Sequence, residues 1–214
     1  MKCCLCDQRK AKRDCPAKGT LICAQCCGEK RILEIDCPES CQYLITGRQR
    51  EIEDYGKRLR SLDANTQEKS QRIFQNYQEA VAQLEYTLSR ERLLSHDLTD
   101  KDVAQAADVL LETYRTEENG VLYEKTSEDL RIEPLRKELR KIIESLRNPE
   151  GNEGKGIVDP QSTRLTLSAA IECLEYLRFM VAAYEGDRRS ASGYVDFLAR
   201  VIPRKETRSS IIMP

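Results

Sequence analysis

Nine of the ten cysteines lie between Cys3 and Cys41, and no other group of residues in the chain has a comparable chemical signature. Six of them form pairs at metal-ligand spacing: Cys3-x2-Cys6, Cys23-x2-Cys26 and Cys37-x3-Cys41. Cys15 and Cys27 stand between the pairs, and Cys4 is left over. Two thiolates separated in this way reach one tetrahedral ion with little backbone strain. The pattern contains no histidine and no carboxylate. All-thiolate zinc sites are closed and structural, whereas catalytic zinc keeps one position for water and uses histidine or carboxylate ligands. The chemistry expected is therefore metal-held folding, and no enzymatic activity is expected.

Two zinc ions per chain need eight ligands, and eight remain once Cys4 is set aside. The order of pairs and singles suggests interleaving. Cys3, Cys6, Cys23 and Cys26 would hold one Zn²⁺, and Cys15, Cys27, Cys37 and Cys41 the other. Three other readings stay open. They are a single zinc held by Cys3, Cys6, Cys23 and Cys26 with spare thiols, an iron–sulfur cluster at unusual spacing, and a redox-sensitive site in which Cys4 is the reactive thiol. The progression C-x2-C-x8-C-x7-C-x2-C resembles the small cross-brace zinc fingers of the B-box kind. Those fingers finish with histidines and take an acidic ligand near the position of Lys18; here Cys27, Cys37 and Cys41 would fill those places. The resemblance covers about the first 45 residues and implies a protein-interaction module.

Charge bears on the partner. The formal net charge is −1, which favours neither nucleic acid nor protein. Locally, Arg9, Lys10, Lys12, Arg13 and Lys18 make a basic stretch suited to phosphates. Each all-thiolate Zn²⁺ site carries a formal charge of about −2, however, so nearby cations are expected to balance the metal sites. Nucleic-acid binding through Arg9–Lys18 is the alternative to a protein partner.

The elements that position the cysteines follow. A segment of about 45 residues has too little apolar material to fold alone, so metal must supply much of its folding free energy. Thr20-Leu21-Ile22 reads as a short strand, and Glu29–Glu34 as a short helix facing Ile32 and Ile35 inward. Residues 46–98 read as a long amphipathic helix, with Ile52, Tyr55, Leu59, Leu62, Ile73, Tyr77, Val81, Leu84 and Leu88 at steps of three and four. That stripe is either packed inside its own domain or forms a coiled-coil seam, so a homodimer through residues 48–94 is one expectation. A helical bundle is expected over 99–203. Thr99-x-x-Asp102 opens one helix as a capping box, a helix over 126–147 is kinked by or begins at Pro134, and Pro160–Glu185 is the least polar helix. A loop at 148–159 and a flexible tail at 204–214 complete the organisation.

The fold class expected is mostly α: a small two-zinc cross-brace finger of short strands and a short helix, followed by an all-α bundle. His96, the one histidine, reads as a capping or solvent-exposed residue, and Cys173 as a small core residue. The N-terminus has no apolar run of signal-peptide length, and no run approaches the roughly 20 residues that cross a bilayer. Clustered reduced thiols then suggest a cytoplasmic protein without a membrane partner.

Overall fold

The computed structural model describes residues 1–121, 123–149, 164–184 and 191–204. Most of the expected 148–159 loop, the beginning of the 160–185 helix and the tail beyond residue 204 lie outside the described residues. Among those described, the chain is mostly α, with eight helices and one two-stranded sheet. It divides into two compact units, Met1–Glu51 with the segment from Arg200 onward, and Ile52–Ala199.

In the first unit, β1 (Arg13–Cys15) and β2 (Thr20–Ile22) form an antiparallel hairpin with Cys15 opposite Thr20. Gly19 closes its turn at φ +62°, a left-handed conformation that glycine adopts without a Cβ penalty. Helix α1 (Ala24–Lys30) follows directly, and α2 (Gln42–Arg60) begins after the last cysteine. The core here is Cys3, Ala11, Cys15, Ile22, Cys23, Cys26, Cys27 and Ile35. Five of those eight residues are cysteines, so apolar burial alone gives this unit little to fold around.

The short helix lies earlier than the 29–34 stretch read from the sequence. After Lys30 the chain turns, with Ile32 at φ +65°. The Ile32 N–H donates to the Ile35 carbonyl at 3.0 Å, and the Ile35 N–H to the Lys30 carbonyl at 2.9 Å. Both isoleucine side chains are buried. Their shared inward direction, legible in the sequence, is achieved by a tight turn in place of helical spacing.

In the second unit the expected long helix of residues 46–98 is divided among α2, α3 (Ala64–Asn76) and α4 (Gln78–Leu94). Asp63 starts α3 by accepting the Thr66 N–H at 3.0 Å. Tyr77, at φ −130°, separates α3 from α4. Ile73, Val81, Leu84 and Leu88 are buried within this unit. These four positions of the apolar stripe are packed inside their own domain, whereas Ile52 is exposed and Tyr55, Leu59, Leu62 and Tyr77 are partly buried.

Helix α5 (Asp100–Glu118) opens with the capping box of Thr99 and Asp102. It packs along α7 (Leu167–Tyr184), the most apolar helix, through faces that include Ala106, Ala107, Leu110, Ala170, Leu174 and Leu177. Cys173 is fully buried there. Helix α6 (Ile132–Arg147) begins two residues before Pro134, where proline's missing N–H has no intrahelical acceptor to lose. Asp100 holds the start of α8 (Gly193–Val201), its carboxylate accepting the N–H groups of Tyr194 at 2.9 Å and Val195 at 3.0 Å.

Glu85 sits among Tyr55, Tyr176 and Tyr194, and accepts the Tyr194 hydroxyl proton at 2.8 Å. Burial pushes its carboxyl up to about 6, against the opposing pull of that hydrogen bond. A raised folded-state value favours the protonated acid. Its contribution to stability is therefore complete below the ordinary value of 4.5 and is lost as pH rises through about 6. Glu85→Gln should match the parent protein near pH 4 and exceed it by about 1–2 kcal/mol at neutral pH. Urea unfolding of both proteins across that range measures the difference.

Candidate metal centre

The first thiolate set is assembled by two knuckles. In the N-terminal one the Cys3 N–H donates to the Arg9 carbonyl at 2.9 Å, and the Cys6 and Asp7 N–H groups turn back to the Cys3 carbonyl at 3.3 and 2.8 Å. Asp7 takes φ +50°, a left-handed position that aspartate tolerates better than most residues. In the second knuckle Cys23 is the N-cap of α1, and its Sγ accepts the Cys26 N–H at 3.3 Å. The hairpin delivers Cys23 immediately after β2, and α1 returns Cys26 toward the same point.

The result is four sulfurs, from Cys3, Cys6, Cys23 and Cys26, all within 4.8 Å of one another. Cys6 and Cys23 are 4.0 Å apart. Tetrahedral zinc with Zn–S bonds of about 2.3 Å places its sulfurs about 3.8 Å apart, so these thiols fit the ion with only slight contraction. Cys3, Cys23 and Cys26 are buried and Cys6 is partly exposed. The donor set is closed and soft, which suits structural Zn²⁺.

The electrostatics fit a set of thiolates. The Cys26 N–H at the start of α1 pulls the Cys23 thiol down to about 6, and the Arg9 guanidinium adds to this. The backbone N–H groups of Arg9 and Gln8 lower Cys6. Burial holds Cys26 up, as expected of a thiol that needs a cation to ionise. Arg9 supplies part of that charge, with Nη2 3.8 Å from Cys26 Sγ.

The remaining predicted ligands lie in the same unit. Cys15 ends β1, Cys27 is in α1, and Cys41 immediately precedes α2; all three are buried. Cys37 is half-buried against the cysteine core. Burial raises its thiol, against the lowering pull of a backbone hydrogen bond at Ile32. Among the described residues, only the Cys3 set has all its sulfurs within 4.8 Å of one another. Cys4 is exposed, and all ten cysteines are unpaired thiols.

The predicted basic stretch separates into different roles. Arg9 turns to the thiolates, and Arg13 lies 4.9 Å over the ring of Tyr43. Lys10, Lys12 and Lys18 are exposed to solvent. Sequence reasoning missed four other arginines. Arg31 donates to the carbonyls of Gly28 and Tyr43, and Arg48 pairs with Glu39 and donates to the Arg200 carbonyl at 2.7 Å. Arg200 and Arg204 contact residues 29–36. Only an odd excess of arginine over lysine at these places could have signalled it.

In the helical unit, a cleft is lined by Asn65, Thr66, Lys69, Ser70, Ile73, Glu175, Tyr176 and Phe179. Lys69 is spent there in an ion pair with Glu175 at 2.8 Å. His96 is exposed, and its carbonyl accepts from Arg92. No described helix is long and apolar enough to cross a membrane.

Groups that hydrogen-bond to metal ligands typically alter metal affinity about 10–100-fold when removed. Arg9→Ala should therefore speed zinc transfer to a chromogenic chelator on the order of 10-fold, with Arg9→Lys intermediate because one ammonium cannot reproduce the planar fork. Chelator kinetics on the zinc-loaded protein test this, and Cys4→Ala should leave the rate unchanged. In comparisons with known proteins, no family model, curated protein or solved structure matches this chain.

Proposed function

We propose that this is a non-enzymatic cytoplasmic protein that acts through protein–protein interaction, with a zinc-held N-terminal module as its rigid element. The observation that carries the reading is the Cys3, Cys6, Cys23, Cys26 set: four thiols at ligating separation, three of them buried, without histidine or carboxylate. Such a site supplies folding free energy and leaves no position for a substrate.

The finer reading is a second Zn²⁺ held by Cys15, Cys27, Cys37 and Cys41, giving the interleaved arrangement of the B-box-like cross-brace. Its support is the burial of Cys15, Cys27 and Cys41, and the packing of Cys37 against the core cluster that contains Cys15 and Cys27. Cys26 and Cys27 are consecutive, so α1 would serve both sites. Neither half of the module would then fold without the other.

A protein partner is favoured over nucleic acid on charge. Residues 1–45 contain eight lysines and arginines against six carboxylates. Two all-thiolate sites of about −2 each more than cancel that excess. Arg9 and Arg13 are also turned inward to sulfur and to Tyr43. Leu21, Tyr43 and Ile45 remain exposed on the module and offer apolar contact area.

Elemental analysis of the purified chain should find two zinc ions. Alanine at Cys15 should cost as much folded module as alanine at Cys23, by proton-NMR dispersion. One ion, with Cys15→Ala silent, would remove the second site. Titration of duplex and single-stranded probes at low salt separates the partner classes. Salt-dependent binding lost in a Lys10, Lys12 and Lys18 triple alanine variant would establish the nucleic-acid alternative.

A further inference from the structure

The segment Val201–Arg204 lies at the opposite end of the sequence from the cysteines, yet Arg200 onward belongs to the same compact unit as residues 1–51. Its contacts fall on one stretch of that unit. Arg200 Nη2 donates to the Glu29 carbonyl at 3.2 Å. Arg204 is a two-pronged clamp, with Nη2 donating to the Ile32 carbonyl at 2.6 Å and Nη1 paired with Asp36 at 2.5 Å. From the other side, Arg48 Nε donates to the Arg200 carbonyl while its Nη atoms hold Glu39. Arg200 also pairs with Glu51 at 3.7 Å.

Glu29, Ile32, Asp36 and Glu39 have one thing in common: they lie on the chain between Cys27 and Cys41, the stretch that carries Cys37 against the cysteine core. It contains Ile32 at φ +65°. A β-branched residue persists in that left-handed conformation only where its surroundings hold it. Here they do. The side chain is buried, the N–H is bonded to Ile35, and the carbonyl is taken by Arg204. The clamp therefore grips the most strained point of the segment that delivers Cys37.

We infer that Arg200 and Arg204 are positioning residues for the Cys15, Cys27, Cys37, Cys41 metal set, so that docking of the 200–204 segment and metal loading at that set are one linked equilibrium. The inference rests on the two-ion reading above. Linkage is reciprocal: whatever strengthens the metal strengthens docking of the segment by the same factor, and a partner that captured the segment would loosen the metal. The C-terminal segment would in this way report the metal state of the N-terminal cysteines.

The test uses the full chain loaded with zinc and a chromogenic chelator. The parent protein should release two ions in two phases. Arg204→Ala should speed one phase on the order of 10-fold and leave the other unchanged. Arg204→Lys should restore only part of the rate, because an ammonium cannot span both Asp36 and the Ile32 carbonyl. A merely structural role would speed both phases or lower the thermal midpoint of the helical unit; site-selective release, with the midpoint unchanged, would not arise from it. In the reverse direction, hydrogen exchange at residues 200–204 should rise when zinc is removed from the parent protein. Equal release rates for parent and Arg204→Ala, or exchange at 200–204 indifferent to zinc, would overturn the coupling while two zinc ions still bound. A parent protein that binds one ion would instead overturn the two-ion reading, and the coupling with it.

Discussion

The N-terminal unit depends on a shortage. Its central cluster is eight residues, five of them cysteines, and the other apolar side chains that the unit buries are few: Ala11, Ile22, Ile32, Ile35 and Leu44. Burial of that area cannot offset the conformational entropy of ordering some fifty residues, at about 1–2 kcal/mol each for backbone alone. A structural zinc ion contributes on the order of 10 kcal/mol or more, and so is the term of the right size. The hairpin, the N-cap of α1 and the left-handed turns at Asp7 and Gly19 are the geometry needed to bring Cys3, Cys6, Cys23 and Cys26 to one point.

Gathering thiolates creates an electrostatic problem, and the module answers it with backbone N–H groups and arginine. The N–H of Cys26 and those of Gln8 and Arg9 point at sulfur, while Arg9 brings a full positive charge to Cys26. Arginine is suited to this because its guanidinium is weakly hydrated and spreads its charge over several donors. The same property explains Arg31, Arg200 and Arg204, which donate to backbone carbonyls of the 28–43 stretch, and Arg48, which joins the Glu39 carboxylate of that stretch to the Arg200 carbonyl.

The helical unit solves its folding by ordinary means. Apolar faces of α4, α5, α6 and α7 supply the burial, and the deeply placed charges Arg136, Arg92 and Asp100 each find partners, though Arg136 Nη1 is left without one among the described residues. Arg136, almost wholly buried, is held by Glu133 and Glu124 at 2.7 and 3.0 Å. Arg92 meets Asp196 at 2.8 Å, and Asp100 caps α8. Groups of this kind lend little net stability, but removing one partner leaves a buried charge exposed to a low-dielectric interior. They fix which helix ends meet.

How much was legible follows from the range of each interaction. The hairpin strand, the capping box at Thr99, the start of α6 at Pro134 and the apolar character of α7 are encoded within a few residues, and local steric and hydrogen-bonding rules reveal them. The cysteine pairs show their chemistry by spacing alone, because a knuckle is itself a local structure. The joining of Cys3 and Cys6 with Cys23 and Cys26 was legible too, from the interleaved order of pairs and singles, and the hairpin and α1 bring those four sulfurs together. Asp63, Asn65 and Thr66 interrupt the register of residues 46–98 in the sequence, where α3 begins, but the division at Tyr77 was hidden, since the apolar stripe keeps its period across it. Arg204 gripping Ile32 and Asp36 is the extreme case. The sequence by itself determined a cysteine-rich N-terminus able to hold metal and a helical remainder, through residue type, ligand spacing and short-range periodicity. Tertiary structure alone decided which distant arginines hold the cysteine-bearing turn, because those contacts join residues whose separation along the chain carries no periodic signal.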